Sequence, residues 1–254
     1  MHYPSENLHR ILFLDIETAA QHKSYEETSS SIKSLWMKKM RRHVSVEEYP
    51  AFEEEFASLY HDKGAIYAEF AQVVCISVGY IRREGERYRF KVKYVEGADE
   101  HELLSNCKEL LDNHYYDRFN QFLCGHNIKE FDIPFLCRRA MVHRLELPNL
   151  LRIAGYKPWQ VHHLLDTMEM WKYGDYKHYT SLDLLCQVLG IDTPKGDMDG
   201  SLVNAAYWDG EIDKIRSYCC QDVIATAQVY MRCIGLDPFE TDDITFVNDS
   251  SIKP

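Results

Sequence analysis

The sequence predicts an α/β fold, a mixed sheet with helices on both faces. Two observations predict it. Short apolar runs rich in strand formers come first as a meander and later alternate with helical patterns, an order that a mixed sheet accommodates. No repeat, low-complexity tract or Pro/Gly/Ser-rich linker divides the 254 residues, so residues 1–254 are expected to form one domain with its core over about 10–235. With 45% apolar and 27% charged residues the chain can bury that core without disulfide or metal staples, and global disorder is excluded.

Arg10–Ile16, reading Arg-Ile-Leu-Phe-Leu-Asp-Ile, is an apolar run that turns polar at its end, as a buried central strand does. Residues 19–70 then change character and are expected to form a helical insertion. Ser29–Ser31 can cap a helix through Leu35, Trp36, Lys38, Lys39, Met40 and Arg42, and Ser45 with Glu48 offers a capping box. Gln72–Ile81 is a second strand, Arg83–Glu86 a turn and Tyr88–Val95 a third strand, which together make an antiparallel meander. Leu103, Leu104, Cys107, Leu110 and Leu111 form a helical stripe within Asp99–Asn113. Phe122–Gly125 is a fourth strand, and a helix follows from about Ile133 to Arg144 with Pro134 in its first turn, where a missing amide costs least. His163–Met168 reads as a fifth strand. Thr180 or Ser181 caps a helix through Leu182, Leu185 and Val188 that stops at Gly190, and Ile212–Cys233 carries the last long helical pattern.

Lys and Arg number 29 against 40 Asp and Glu, a net charge of -11, which argues against a protein that coats polyanions. A nucleic-acid enzyme with a local basic track is still allowed. Met1–Arg10 has no apolar h-region and no run approaches about 18 apolar residues, so neither a secretory leader nor a membrane span is expected. The cysteines (Cys75, Cys107, Cys124, Cys137, Cys186, Cys219, Cys220 and Cys233) never form Cys-x-x-Cys. They read as reduced thiols packed as small hydrophobes in a cytoplasmic protein, the adjacent Cys219 and Cys220 included.

The candidate chemistry lies in carboxylates. Asp15 and Glu17 end the first strand, and the two-residue period puts both on one face, where like charges repel unless a cation lies between them. Asp-x-Glu is common by chance, and Asp209-Gly210-Glu211 is a second copy in a polar turn. Asp132, taken alone, reads as a helix-start residue that satisfies free amides. Tyr218 and Asp222 stand at i and i+4 of the last helix, on one face. Tyr179 and Asp183 repeat that spacing, but a cap at Thr180 or Ser181 leaves Tyr179 outside the helix, so this pair is not expected to share a face.

Taken in order, the strand-end Asp15-x-Glu17, Asp132 in its Asn127-x-x-x-Phe131-Asp132 frame and the helical Tyr218-x-x-x-Asp222 resemble the three exonuclease motifs of the DEDD superfamily. Tyr218 places the resemblance in the DEDDy branch. The Asn127 frame with Pro134, and Tyr218-Cys219-Cys220-Gln221-Asp222-Val223, are similar to the proofreading exonuclease domain of family B DNA polymerases. Asp197-Met198-Asp199-Gly200-Ser201, leading to Tyr218, resembles the stand-alone bacterial family-B-like 3'-5' exonucleases. The likeness runs from about residue 10 to 235, residues 19–70 are longer than the usual link, and no polymerase domain is expected. It implies a ribonuclease H-like fold with a five-stranded mixed sheet. It also implies metal-dependent 3'-5' hydrolysis of single-stranded DNA to nucleoside monophosphates, with two divalent cations, Mg2+ or Mn2+. In that scheme Asp15 bridges both ions, Glu17 and Asp222 complete the site that activates water, Asp132 holds the second ion, and Tyr218 orients the attacking water.

Hard octahedral cations prefer carboxylate and water oxygens, which suits four acids with no His or Cys ligand. Substrate contacts stay open at this stage. Thr18 adjoins the strand-end acids; Asn127 either hydrogen-bonds the terminal nucleotide or ties its own loop; Phe131 either stacks on a base or fills the core. Lys38, Lys39, Arg41 and Arg42 either guide single-stranded nucleic acid or form a solvated face. The same choice holds for Arg138, Arg139, His143 and Arg144, and for Lys172–His178 with its tyrosines. Asp166, before Thr167, reads as a cap or as an acid that supports the site from behind its ligands. Two other functions fit the same residues: an RNA-trimming exoribonuclease, and a nucleic-acid-binding module without turnover.

Overall fold

A computed structural model describes residues 7–44, 51–175, 177–192 and 198–247. Its elements are β1 (Ile11–Ala20), α1 (Ser30–Met40), α2 (Ala51–Lys63), β2 (Ala71–Glu84), β3 (Arg87–Tyr94), α3 (Glu100–His114), β4 (Phe122–Gly125), α4 (Asp132–Val142), β5 (Leu164–Asp166), α5 (Thr167–Lys172), α6 (Leu182–Leu189), α7 (Val203–Trp208), α8 (Ile212–Cys233) and β6 (Ile244–Phe246). The strands form one sheet in the order β5-β4-β1-β2-β3-β6. β2 runs antiparallel to β1 and β3, while β4, β5 and β6 join in parallel. A meander extended by parallel strands, with helices on both faces, is a ribonuclease H-like arrangement.

The central place of β1 follows from its apolar residues on both faces. Leu12, Leu14 and Ile16 pack with Leu103, Leu104 and Leu111 of α3 and with Phe135 and Leu136 of α4. Ile11 and Phe13 face the other way, into Val223, Ala227 and Tyr230 of α8, and the Tyr230 ring meets Phe13 edge-on at 5.7 Å. Each such side chain contributes about 1.5–3 kcal/mol through burial, so α8 is clamped across the sheet. The odd-numbered face of β1 is therefore the α8 face, and Asp15 and Glu17 continue it beyond the apolar run.

Gly79 of β2 sets how close α8 lies. A Cβ there would come within 2.4 Å of the Phe90 ring and 3.0 Å of Val223 Cγ1. Gly79→Val is expected to cost about 1–3 kcal/mol as an overpacked core. That lowers Tm by several degrees at about 2–4 °C per kcal/mol. Because Val223 adjoins Asp222, hydrolysis should fall with it; a melt matching that of the wild type would refute the account.

The insertion after β1 has its own core. Ser29 caps α1, its Oγ accepting the Ile32 amide at 3.3 Å. Trp36 is buried, donates its indole N–H to the Phe56 carbonyl at 3.0 Å, and meets Tyr60 and Phe70 edge-on at 5.3 and 5.0 Å. The capping box expected at Ser45 and Glu48 lies outside the described residues.

Several elements depart from the sequence expectation. The sheet has six strands rather than five, because Ile244–Phe246 adds to the outer edge of β3. β1 runs on to Ala20, and β2 runs through Glu84 into a tight turn whose Gly85 takes φ 65°. The fifth strand stops at Asp166, since its carboxylate accepts the amides of Met168 and Glu169 (3.0 and 3.4 Å) and starts α5 there. The expected cap role of Asp166 is thus found, two residues before the strand was expected to end. The short helix α7 was not expected. Among the described residues no helix is long and apolar enough to cross a membrane, and all eight cysteines are free.

Candidate active site

The candidate acids converge where β1 and β4 end. A β-bulge interrupts the pairing of β1 with β2 between Glu17, opposite Cys75, and Thr18, opposite Val73. Bulges of this kind re-aim side chains beside active sites. Asp132, buried at the start of α4, is not its N-cap; its carboxylate takes up its own amide and, at Oδ1, the Ile16 amide at 3.1 Å, between Asp15 and Glu17. From the opposite face α8 brings Tyr218 and Asp222, with the Tyr218 hydroxyl donating to the Asp222 carboxylate. Among the described residues, ligand atoms of Asp15, Glu17 and Cys219 lie within 4.8 Å of one another.

The four carboxylates repel one another. Burial, then repulsion from Glu17, Asp132 and Asp222, raises Asp15 well above the usual carboxylate range. Glu17 is raised likewise by burial and by Asp222. Burial lifts Asp132 to about 7 against the opposing amides of Asp132 and Ile16, and lifts Asp222 to about 7 against the Tyr218 hydrogen bond. Among the described residues no Lys or Arg pairs with any of the four acids. Glu17 and Asp132 are buried and Asp15 and Asp222 half-buried, and carboxylates so placed without a cationic side chain favour shared protons or a bound cation. The donors suit hard divalent cations. The one sulfur nearby, Cys219, stays a thiol because burial raises its pKa, and it donates to Asp15 Oδ2 at 3.3 Å. Packing was the expected role of Cys219, and it does pack; its contact with Asp15 had no signal in the sequence.

The candidate substrate residues are placed as follows. The Thr18 hydroxyl is taken up by the Ala65 carbonyl at 2.8 Å, which fastens the end of the insertion to β1. Asn127 adopts φ 64°, a conformation Asn tolerates, and its amide donates to Asp166 at 3.0 Å while its Oδ1 is buried without a partner. Phe131 is half-buried against the core, its ring 5.5 Å from that of Phe135. Lys38, Lys39, Arg41 and Arg42 are exposed on the insertion, Lys39 pairing with Glu69 at 3.1 Å. Arg139, by contrast, is buried in a bidentate pair with Glu100 (2.8 and 2.6 Å), so it is structural. Asp197 lies outside the described residues.

Sequence reasoning missed two neighbours of the site. The carboxylates of Asp132 and Asp166, after burial, raise the Tyr179 phenol, and Asp183 acts on Asp222. The pair set aside for not sharing a helix face thus lies within electrostatic reach of the acids, from α6 and the segment before it.

A ribonuclease H-like sheet with an acid cluster at the end of its central strand defines a nuclease-type domain. The chain belongs to the family described as a predicted 3'-5' exonuclease related to the exonuclease domain of PolB, whose model matches residues 66–243. The match takes in Asp132, Tyr218 and Asp222; Asp15 and Glu17 are joined to them by the structure. No curated protein matches. Among solved structures, the family B DNA polymerase of the hyperthermophilic archaeon Pyrobaculum calidifontis is similar in fold, with TM-score 0.51 and 16% identity over 87% of this chain. The chain spans 24% of that polymerase.

Proposed function

We propose that the protein is a metal-dependent 3'-5' exonuclease that shortens single-stranded DNA to nucleoside monophosphates. The observation that carries this is the convergence of Asp15, Glu17, Asp132 and Asp222, without cationic partners among the described residues, beside Tyr218. Two divalent cations, Mg2+ or Mn2+, held by these four acids would supply an activated water and stabilise the departing 3'-oxygen. Tyr218 works as a proton donor and water-orienting hydroxyl. Burial and the surrounding carboxylates push its pKa up, so it stays protonated at working pH and is no base. Asn127, with an unpartnered side-chain oxygen in the loop before Asp132, is assigned to the terminal nucleotide. The exposed edge of Phe131 closes the same side.

The test is incubation with 5'-labelled single-stranded DNA and RNA of one sequence, in Mg2+, Mn2+ or chelator, beside Asp15→Ala. A metal-dependent ladder shortening from the 3' end and absent in the variant is expected, with DNA the faster polymer. A faster RNA ladder would make the protein an exoribonuclease. Strand binding with no ladder in either metal would make it a binding module.

The insertion is assigned to strand guidance, because it joins β1 just beyond Glu17 and exposes Lys38, Lys39, Arg41 and Arg42. Replacing all four by Glu is expected to raise KM on a long strand about tenfold or more at low salt and to flatten its salt dependence, with kcat retained. An unchanged salt slope would remove the insertion from the strand path.

A further inference from the structure

His126 follows β4 directly and joins three segments. Its Nε2 lies 2.8 Å from the Thr180 carbonyl, which only accepts, so that nitrogen carries a proton and donates. Its Nδ1 lies 2.9 Å from the Thr167 hydroxyl at the start of α5. The backbone entering α6 is thereby fixed to the strand end that leads to Asp132. Next to the pinned Thr180 stands Tyr179, with 69% of its surface exposed although it is a large aromatic. Tyr179 feels Asp132 and Asp166, whereas Tyr218 feels Asp222, Glu17 and Asp15. The two tyrosines thus lie within electrostatic reach of different carboxylates, Tyr179 on the side of Asp132 and Asp166.

Cations held by the four acids would draw the scissile phosphate and the basic insertion would draw the backbone further along, which leaves the terminal base to be held by neutral surface. An aromatic ring supplies it: stacking works on any base and adds no charge. We propose that Tyr179 is a substrate clamp that stacks on the base of the 3'-terminal nucleotide and holds the strand end against the Asp132 side of the site. Resting on the exonuclease reading, this deepens it by naming what the site grips. The clamp requires a base at the terminus and is indifferent to which base it is.

The experiment measures binding apart from hydrolysis. The full chain is titrated, with Ca2+ in place of Mg2+, into 5'-fluorescein-labelled ten-nucleotide DNA whose 3'-terminal residue either carries its base or is abasic, and anisotropy is read. Wild type is expected to bind the base-bearing end roughly 5- to 100-fold more tightly than the abasic end. Tyr179→Phe should keep that ratio and Tyr179→Ala should bring it close to one. The exposure of Tyr179 leaves folding intact in both variants. A ratio unchanged in Tyr179→Ala, or already near one in wild type, overturns the clamp. Parallel assays in Mn2+ separate the two claims. Strands bound with the expected base dependence but never shortened would remove the exonuclease reading and leave the clamp, whereas shortening with equal KM in wild type and Tyr179→Ala would do the reverse.

Discussion

Asp132→Asn is expected to lower strand hydrolysis by about three orders of magnitude and, in the absence of metal at pH 8, to give a protein more stable than the wild type. The loss follows from removing a cation ligand whose charge stabilisation is worth several kcal/mol, at 1.36 kcal/mol per tenfold in rate. The gain follows from the same group. Asp132 is 3% exposed, is lifted to about 7 chiefly by burial, and at pH 8 is ionised among other acids. Its reference value is 3.8, so ionising it in the fold costs up to about 4 kcal/mol at about 1.4 kcal/mol per unit. Asn keeps the size and still offers an oxygen to the Ile16 amide at the place where Oδ1 now accepts it. A net gain of about 1–4 kcal/mol should raise Tm by several degrees. Adding Mn2+ should reverse the order, because the wild type then binds the ion with all four acids and the variant with three. Loss of activity together with loss of metal-free stability would show Asp132 to be a structural residue instead.

Asp132 also shows what the sequence could convey. Its place before a helix was legible, and so was the sharing of a face by Asp15 and Glu17, because strand and helix periods act within a few residues. Tyr218 and Asp222 were legible for the same reason. That Asp132 reaches across to the Ile16 amide, 116 positions away, is a tertiary fact no local period encodes. The same holds for Tyr179 and Asp183, whose nearness to the acids comes through the His126 tether and the packing of α6 on α8 rather than through their own spacing. The missed elements are short. β6 has three residues, α5 and α7 six each, too few to show a period. In the case of α5 the cap at Asp166 was seen while the helix it starts was not. The insertion was legible as helical, but its aromatic core around Trp36 depends on Phe56, Tyr60 and Phe70 arriving from a second helix and the following loop.

The metal-free wild type is expected to lose stability as pH rises from about 4 to about 8, and bound divalent cation should remove that slope. Asp132 and Asp222 titrate at about 7 in the fold against 3.8 as the ordinary value, and burial and mutual repulsion raise Asp15 and Glu17 well above theirs. Between the two values the folded chain holds protons that the unfolded chain has released, so stability falls with increasing pH. The contribution is intact below about 4 and lost once pH has passed the folded values. Other carboxylates work in the opposite sense: hydrogen bonds from Asn120 and Phe119 lower Asp117, so its contribution is present above its ordinary value and fades in acid. Subtracting the Tm profile of the Asp132→Asn, Asp222→Asn double variant from that of the wild type cancels those groups. The difference should be near zero at pH 4 and negative at pH 8 by several degrees or more, at about 2–4 °C per kcal/mol. With saturating Mn2+ it should turn positive at pH 8, because the cation replaces the protons and binds only the deprotonated cluster. A difference profile flat in pH without metal would mean that Asp132 and Asp222 titrate in the fold near their ordinary value, and the electrostatic case for a cation site would fail with it.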